Sequence, residues 1–294
     1  YIYFLIFKSG LFLKQSKRKM NTDTVDMARY YDAISSVYVQ NRIRDEDMKW
    51  IDFDENDDVL DVGCGSGRLC KMLSPRVNSV TGLDISPGMI EYAKMENSGP
   101  NIHFFQEDAQ TFGPLLTDWR GSFNKILSMT ALHWCFDKEN VLRNVFQCLK
   151  PGGLFLLGFV TRSQLLTQHR SYGETCDAWI RKHAQWGQYL QECNYEVFPI
   201  KSTESFLDLM RSVGFVIRRS EVKQSPWVEW KESDVKKQLR CLFYPIKYIP
   251  AEHHDEFIDD VYKHMRDVTP KRSGNVFYGD MGRSEHMTIV ATKE

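Results

Sequence analysis

The chain has 294 residues, 42% hydrophobic and 13% aromatic, enough to bury a substantial core in one large domain or two small ones. Its formal net charge of −1 gives no general pull toward nucleic acid or an anionic membrane surface. The seven cysteines form no Cys-x-x-Cys pair, and an odd count suits a reducing, cytoplasmic setting; no His/Cys cluster has metal-ligand spacing, so no metal is expected.

Residues 1–19 read YIYFLIFKSGLFLKQSKRK and carry Lys8, Lys14, Lys17, Arg18 and Lys19 without an acid. The charges follow the apolar run and Lys8 interrupts it, which suits neither a secretory signal nor a membrane span. The reading here is an upstream-translated leader with Met20 as initiator; a truncated membrane anchor is the alternative. Across 23–50, Tyr30, Tyr31, Ile34, Val37 and Tyr38 fall at helical spacing and predict a helix. DDVLDVGCGSG is a strand over 58–62 that runs into glycines, and a helix over 68–73 follows. Further strands are predicted over 79–84, 102–109, 123–130 and 154–160, with helices over 88–97 and 138–149. Pro87 suits a first helical turn, and Pro151-Gly152-Gly153 reads as the turn before the fifth strand. Alternating helices and unbroken apolar strands predict a parallel sheet covered on both faces.

The second half is less regular. One or two helices are expected within 165–193, and a helix over 202–214 with Ser202 or Thr203 as N-cap and Gly214 as its stop. A strand over 215–222, helices near 233–242 and 252–267, and a last strand over 286–293 follow. The organisation expected is one domain over 20–294. It comprises an N-terminal helical segment (20–54), a ligand-binding core (55–160), cap insertions (161–200 and 224–280) and closing sheet elements (201–223 and 281–294).

The strongest chemical signal is Asp61-Val62-Gly63-Cys64-Gly65-Ser66-Gly67 between a strand and a helix. Glycines there let backbone approach a ligand closely, and Asp84 at the end of the second strand can accept from a ribose diol. The glycines follow Gly-x-Gly-x-Gly rather than the dinucleotide spacing. Asp61 beside the loop would repel a pyrophosphate and favour a cationic ligand. The third strand ends Glu107-Asp108-Ala109, where an acid can receive an adenine amine.

This set, with Leu149-Lys150-Pro151-Gly152-Gly153, resembles the motifs of the class I S-adenosylmethionine-dependent methyltransferases over roughly 55–160. The resemblance implies an α/β, Rossmann-like fold with a mostly parallel seven-stranded sheet, helices on both faces and a helical cap. It implies S-adenosyl-L-methionine as cofactor, leaving S-adenosyl-L-homocysteine, around Asp61, Gly63, Cys64, Gly65, Gly67, Asp84, Ile85, Asp108, Ala109 and Met129. The Asn/Asp-Pro-Pro-aromatic motif of amino-group methylation is absent after the fourth strand, and no basic stripe interleaved with aromatics suggests a nucleic-acid partner. Instead Ala131-Leu132-His133-Trp134, with Gln40-Asn41-Arg42 on the N-terminal segment, resembles trans-aconitate methyltransferases and, more closely, arthropod juvenile hormone acid O-methyltransferases. That resemblance implies a small-molecule carboxylic acid substrate held by Gln40 and Trp134; His133 is a candidate third donor, with packing or capping of the loop as its alternative. No membrane partner is expected, and monomer and homodimer both stay open. Trp179, Trp186, Tyr189, Phe198, Trp227, Trp230, Phe243 and Tyr244 are candidate walls for an apolar substrate tail. A small polar acid as substrate, or a cofactor-binding partner protein without turnover, are the alternatives.

Overall fold

The computed structural model describes residues 23–35, 46–113, 115–163, 176–191, 193, 202–224, 231–268 and 284–294. The apolar runs of the first half form β1 (Asp58–Val62), β2 (Ser79–Asp84), β3 (Ile102–Gln106), β4 (Phe123–Met129) and β5 (Leu149–Ser163), all parallel. β6 (Phe215–Gln224) and β7 (Ser284–Lys293) complete a seven-stranded sheet of order β3-β2-β1-β4-β5-β7-β6, with β7 antiparallel to both neighbours. The described helices, in chain order, are α1 (Val25–Ser35), α2 (Arg68–Leu73), α3 (Pro87–Glu96), α4 (Leu115–Asp118), α5 (Lys138–Cys148), α6 (Cys176–Lys182), α7 (Thr203–Val213), α8 (Glu232–Leu242) and α9 (His254–Val268).

Strand periodicity sends successive side chains to opposite faces, and here both faces are covered. Leu60, Ile126, Phe155 and Leu157 pack on one side with Val141 and Val145 of α5 and Phe206 and Met210 of α7. Val59, Val80, Leu127 and Leu156 pack on the other with Leu69 and Leu73 of α2 and Ile90 and Ala93 of α3. The chain order reverses at β1, which pairs with β2 on one side and β4 on the other. Open α/β sheets leave a crevice at the carboxyl ends of the strands at such a point. The predicted Rossmann-like sheet is therefore present, and its switch point lies at the glycine loop.

Three local expectations change. The segment predicted as one helix over 23–50 is helical over Val25–Ser35, with a 3-10 turn at Met48–Trp50. Positions 36–45, Gln40 among them, lie outside the described residues. β3 ends at Gln106 rather than 109, because the amides of Thr111 and Phe112 turn back to the Asp108 carbonyl at 3.0 and 2.7 Å. Pro151-Gly152-Gly153 does not precede β5 but lies within it. It is a bulge where the pairing steps from Phe123–Leu149 to Lys125–Leu154.

The helices beyond the sheet have a core of their own, with Ile180, Trp186, Leu239, Phe243, Phe257 and Val261 at its centre. Trp186 is wholly buried and its indole N–H donates to Asp260 Oδ2 at 3.1 Å. Phe243 is 2% exposed. These two are core side chains, which corrects their candidacy as walls of a ligand pocket. Trp179 lies flat on His264, ring centroids 4.2 Å apart. Phe198, Trp227 and Trp230 lie outside the described residues.

Candidate active site

The loop after β1 is held by backbone before any ligand is considered. The amides of Gly63 and Cys64 both donate to the Leu83 carbonyl, at 2.7 and 2.9 Å. The Gly65 amide donates to Asp84 Oδ2 and the Ser86 amide to Asp84 Oδ1, both at 2.9 Å. Burial pushes the Asp84 carboxyl up, and the hydrogen bonds from Ser86 and Gly65 oppose that rise. A carboxylate has about four acceptor sites, so Asp84 can serve the loop and still accept from a ligand hydroxyl. Asp61 is buried at 2% exposure and accepts from the Cys70 thiol at 3.6 Å. Burial holds the Cys64 thiol well above its ordinary range, so this cysteine is packed and inert.

Two of the glycines have distinct tasks. Gly63, at φ +79°, has no room for a side chain because an added Cβ would overlap the Cβ of Ala131. Gly65, at φ +53°, faces open space, with nothing within 4 Å of an added Cβ. The backbone at Gly65 is thus accessible to a ligand, and the backbone at Gly63 is pressed against the loop after β4.

That second loop begins with strain. Thr130 has φ +60°, a left-handed conformation that costs a β-branched residue of order 1–3 kcal/mol. Its amide donates to the Gly158 carbonyl at 2.6 Å, which fixes the bend. A 3-10 turn, Leu132–Trp134, then leaves Trp134 half-buried above a buried His133, ring centroids 5.2 Å apart. Burial lowers the His133 pKa well below the usual imidazole value, and the nearby His286 and Lys138 lower it further. The ring is therefore neutral at physiological pH and can donate from one nitrogen only. Burial also pushes the Cys135 thiol up to about 12.

The remaining expected positions lie at or just past the carboxyl ends of β2, β3 and β4. Ile85 is 38% exposed beside Asp84, an apolar surface left open at the site. Met129 is buried at the end of β4, its Cε 2.7 Å from where a Gly158 Cβ would be. Asp108 Oδ1 accepts from the Gln110 amide at 2.8 Å, and the Gln110 side-chain amine lies 3.2 and 3.1 Å from the two carboxylate oxygens. The Gln110 carbonyl in turn accepts from the amides of Phe136 and Asp137, at 3.1 and 2.9 Å. Ala109 accepts from the Asn144 side chain at 3.1 Å. The loop after β3 is thus tied to the loop carrying Trp134. Sequence reasoning missed Gln110 and Thr130, which have no local signature. It also missed Ser86, whose place before Pro87 is a legible capping signal: its hydroxyl accepts from the Met89 amide at 3.2 Å. Among the described residues, no group of three or more His, Cys, Asp or Glu could hold a metal. Nor is any described helix long and apolar enough to cross a membrane.

A sheet reversing at a glycine loop, with an acid at each of the first two strand ends and backbone open at Gly65, is the arrangement that the methyltransferase resemblance implies. The comparisons agree: a methyltransferase-domain family model matches residues 59–153. The chain is similar to juvenile hormone acid O-methyltransferase of Drosophila melanogaster, 27% identical over 222 residues that cover 72% of each chain. It is also similar to that of Bombyx mori, 26% identical over 220 residues, 72% of this chain and 75% of the relative. In fold it resembles a Bacillus halodurans protein described as a methyltransferase, with TM-score 0.54, 14% identity and coverage of 84% and 97%. It also resembles phosphoethanolamine N-methyltransferase 2 of Haemonchus contortus, solved with S-adenosylhomocysteine, with TM-score 0.50, 14% identity and coverage of 85% and 52%.

Two predictions follow from this geometry. Gly63→Ala destabilises the fold by about 1–3 kcal/mol in urea denaturation, through overlap and a left-handed backbone. Ala131→Gly in the same chain recovers only the overlap part, and full recovery would show that the backbone at Gly63 is unstrained. The second concerns pH. Burial lowers His286 to about 4 and His133 well below its ordinary value, whereas an unfolded imidazole titrates near ~6.5. The unfolded chain therefore binds more protons across that window, and stability is lost as pH falls through it, by up to about 1.4 kcal/mol per pH unit per imidazole. His286→Gln makes the decline of the urea midpoint between pH 6.5 and 4 shallower by about one proton's worth. An unchanged slope contradicts the assignment.

Proposed function

We propose that this chain esterifies the carboxylate of a lipophilic acid, such as juvenile hormone acid or farnesoic acid, by methyl transfer from S-adenosylmethionine. The observation that carries the reading is the contact of the Gly63 loop with Ala131, which sets the Trp134 loop directly beside the donor cradle. The choice of acid rests on the similarity to the two juvenile hormone acid methyltransferases.

In this reading the backbone of Gly63, Cys64, Gly65 and Gly67 would lie along the cofactor and Asp84 would accept from its ribose. Ile85 would cover one face of the adenine, and Asp108 and Ala109 would line its edge. Asp61, buried beneath the loop, favours the cationic amino-acid end, and Met129 closes the floor. When bound, the cofactor would supply a sulfonium methyl group for the carboxylate oxygen to take, the sulfur keeping the electron pair of the broken C–S bond. The protein needs no general base, because a carboxylic acid of pKa about 4–5 is already ionised at neutral pH. Its task is to aim the carboxylate and keep water out. Opposite charges annihilate in the transition state, so a dry site favours it over separated ions. Gln40 and the Trp134 indole N–H orient the acceptor, and His133 supports Trp134 from below.

The test is transfer of labelled methyl to a panel of farnesoic acid, juvenile hormone acid, a saturated fatty acid and trans-aconitate. Labelled ester is expected from the terpenoid acids. Trp134→Ala is expected to lower turnover about tenfold or more while leaving S-adenosylhomocysteine affinity within about twofold, since it removes one donor to a charged acceptor. Label on trans-aconitate alone would overturn the lipophilic substrate, and no label on any acid would overturn the reaction.

A further inference from the structure

α1 lies between the cofactor loop and the helical cap, and two different stripes of its surface do the docking. Ala28, wholly buried, packs on Met89 and Tyr92 of α3. Asp32, four residues on and so on the same side, accepts from the Ser66 hydroxyl at 2.5 Å. It also lies 3.8 Å from the Arg68 guanidinium. Arg68 reaches the Asp32 carbonyl at 3.5 Å as well. The other stripe, Met27 and Tyr30, packs against the cap core of Leu239, Cys241 and their neighbours, and Tyr31 packs against both clusters. The charged groups that face Tyr30, namely Arg240, Asp234 and Asp255, all belong to the cap.

Ser66 follows Gly65, whose amide is held by Asp84. A continuous chain of contacts therefore runs from the proposed ribose acceptor through Gly65 and Ser66 to Asp32, and along α1 to α8. An 11-residue helix is too short to be stable alone, so α1 is ordered only to the extent that both surfaces hold it. Anything that fixes the glycine loop also fixes Ser66, and with it the Asp32 end of α1.

We propose that Asp32 is a positioning residue that couples occupancy of the cofactor loop to docking of α1 and, through it, of α8 in the cap. The inference rests on the reading of the glycine loop as the cofactor cradle. It gives the protein ordered use of its two ligands: the cofactor enters first and steadies the cap against which the acid is then held.

The experiment is backbone hydrogen exchange with and without S-adenosylhomocysteine, together with calorimetric affinity for the same ligand. In the unmodified chain the ligand is expected to slow exchange at 63–67 and also in α1 and α8. Asp32→Asn is expected to bind about tenfold more weakly, in line with loss of charge-assisted hydrogen bonds. It should keep ligand protection at 63–67 and lose it in α8. Ser66→Ala removes the same bond from the other side and serves if Asp32→Asn fails to fold. The Asp32→Ala, Ser66→Ala double variant should bind no more weakly than Asp32→Ala, because without the carboxylate the Ser66 hydroxyl has no bond to residue 32 left to lose. A role for Asp32 in stability alone would lower the urea midpoint but leave ligand protection of α8 intact, and that result would overturn the coupling. Additive losses would overturn it too. Failure of the unmodified chain to bind S-adenosylhomocysteine would instead overturn the cofactor reading on which the coupling stands.

Discussion

Gly63 and Ala131 share a space that holds only one methyl group, and the arrangement of the crevice depends on that contact. Were the loop after β1 to carry any side chain at this point, the loop after β4 would have to withdraw. The glycine loop and the Trp134 loop would then separate. The left-handed Thr130 bends the second loop into place, and the Gly158 carbonyl secures it. Methyl transfer needs two reactants aligned within a fraction of an ångström, and alignment alone can be worth about 7–11 kcal/mol. Two rigid loops in direct contact are a physical means of providing it.

Around that contact the polar groups act mainly on one another. Asp84 clamps the amides of Gly65 and Ser86, and Gln110 links Asp108 to the amides of Phe136 and Asp137. Each carboxylate thereby fixes a loop and retains acceptor capacity toward the crevice. The site is pre-organised by its own hydrogen bonds, so a ligand need not assemble it. The cap differs in kind. It has a separate core and meets the glycine loop through α1.

Much of this was legible in the sequence because strands buried on both faces leave an unmistakable apolar run, and a glycine loop between strand and helix has few alternative meanings. β1, β2 and α2 match their predicted spans, and Gly214 ends α7 in the left-handed conformation expected of it. The failures have different causes. β3 ended early because a local turn closes on the Asp108 carbonyl, and the Pro-Gly-Gly turn became a bulge because sheet register, not local propensity, decided it. Trp186 and Phe243 offered themselves as ligand walls because composition cannot separate the wall of a pocket from the centre of a core. Ser66, Asp32 and Gln110 carry no local pattern at all; they matter through partners up to 34 residues away.

The central claim is that a donor in the Gly63–Gly67 cradle and an acid at Trp134 meet across the Gly63–Ala131 contact. A crystal structure with S-adenosylhomocysteine and farnesoic acid bound together tests it most directly. The account predicts ribose hydroxyls within hydrogen-bonding distance of Asp84, the acid carboxylate beside the Trp134 indole, and a carboxylate oxygen facing the cofactor sulfur. A cofactor away from Asp84, or a carboxylate directed away from the sulfur with Trp134 free of it, would contradict the account.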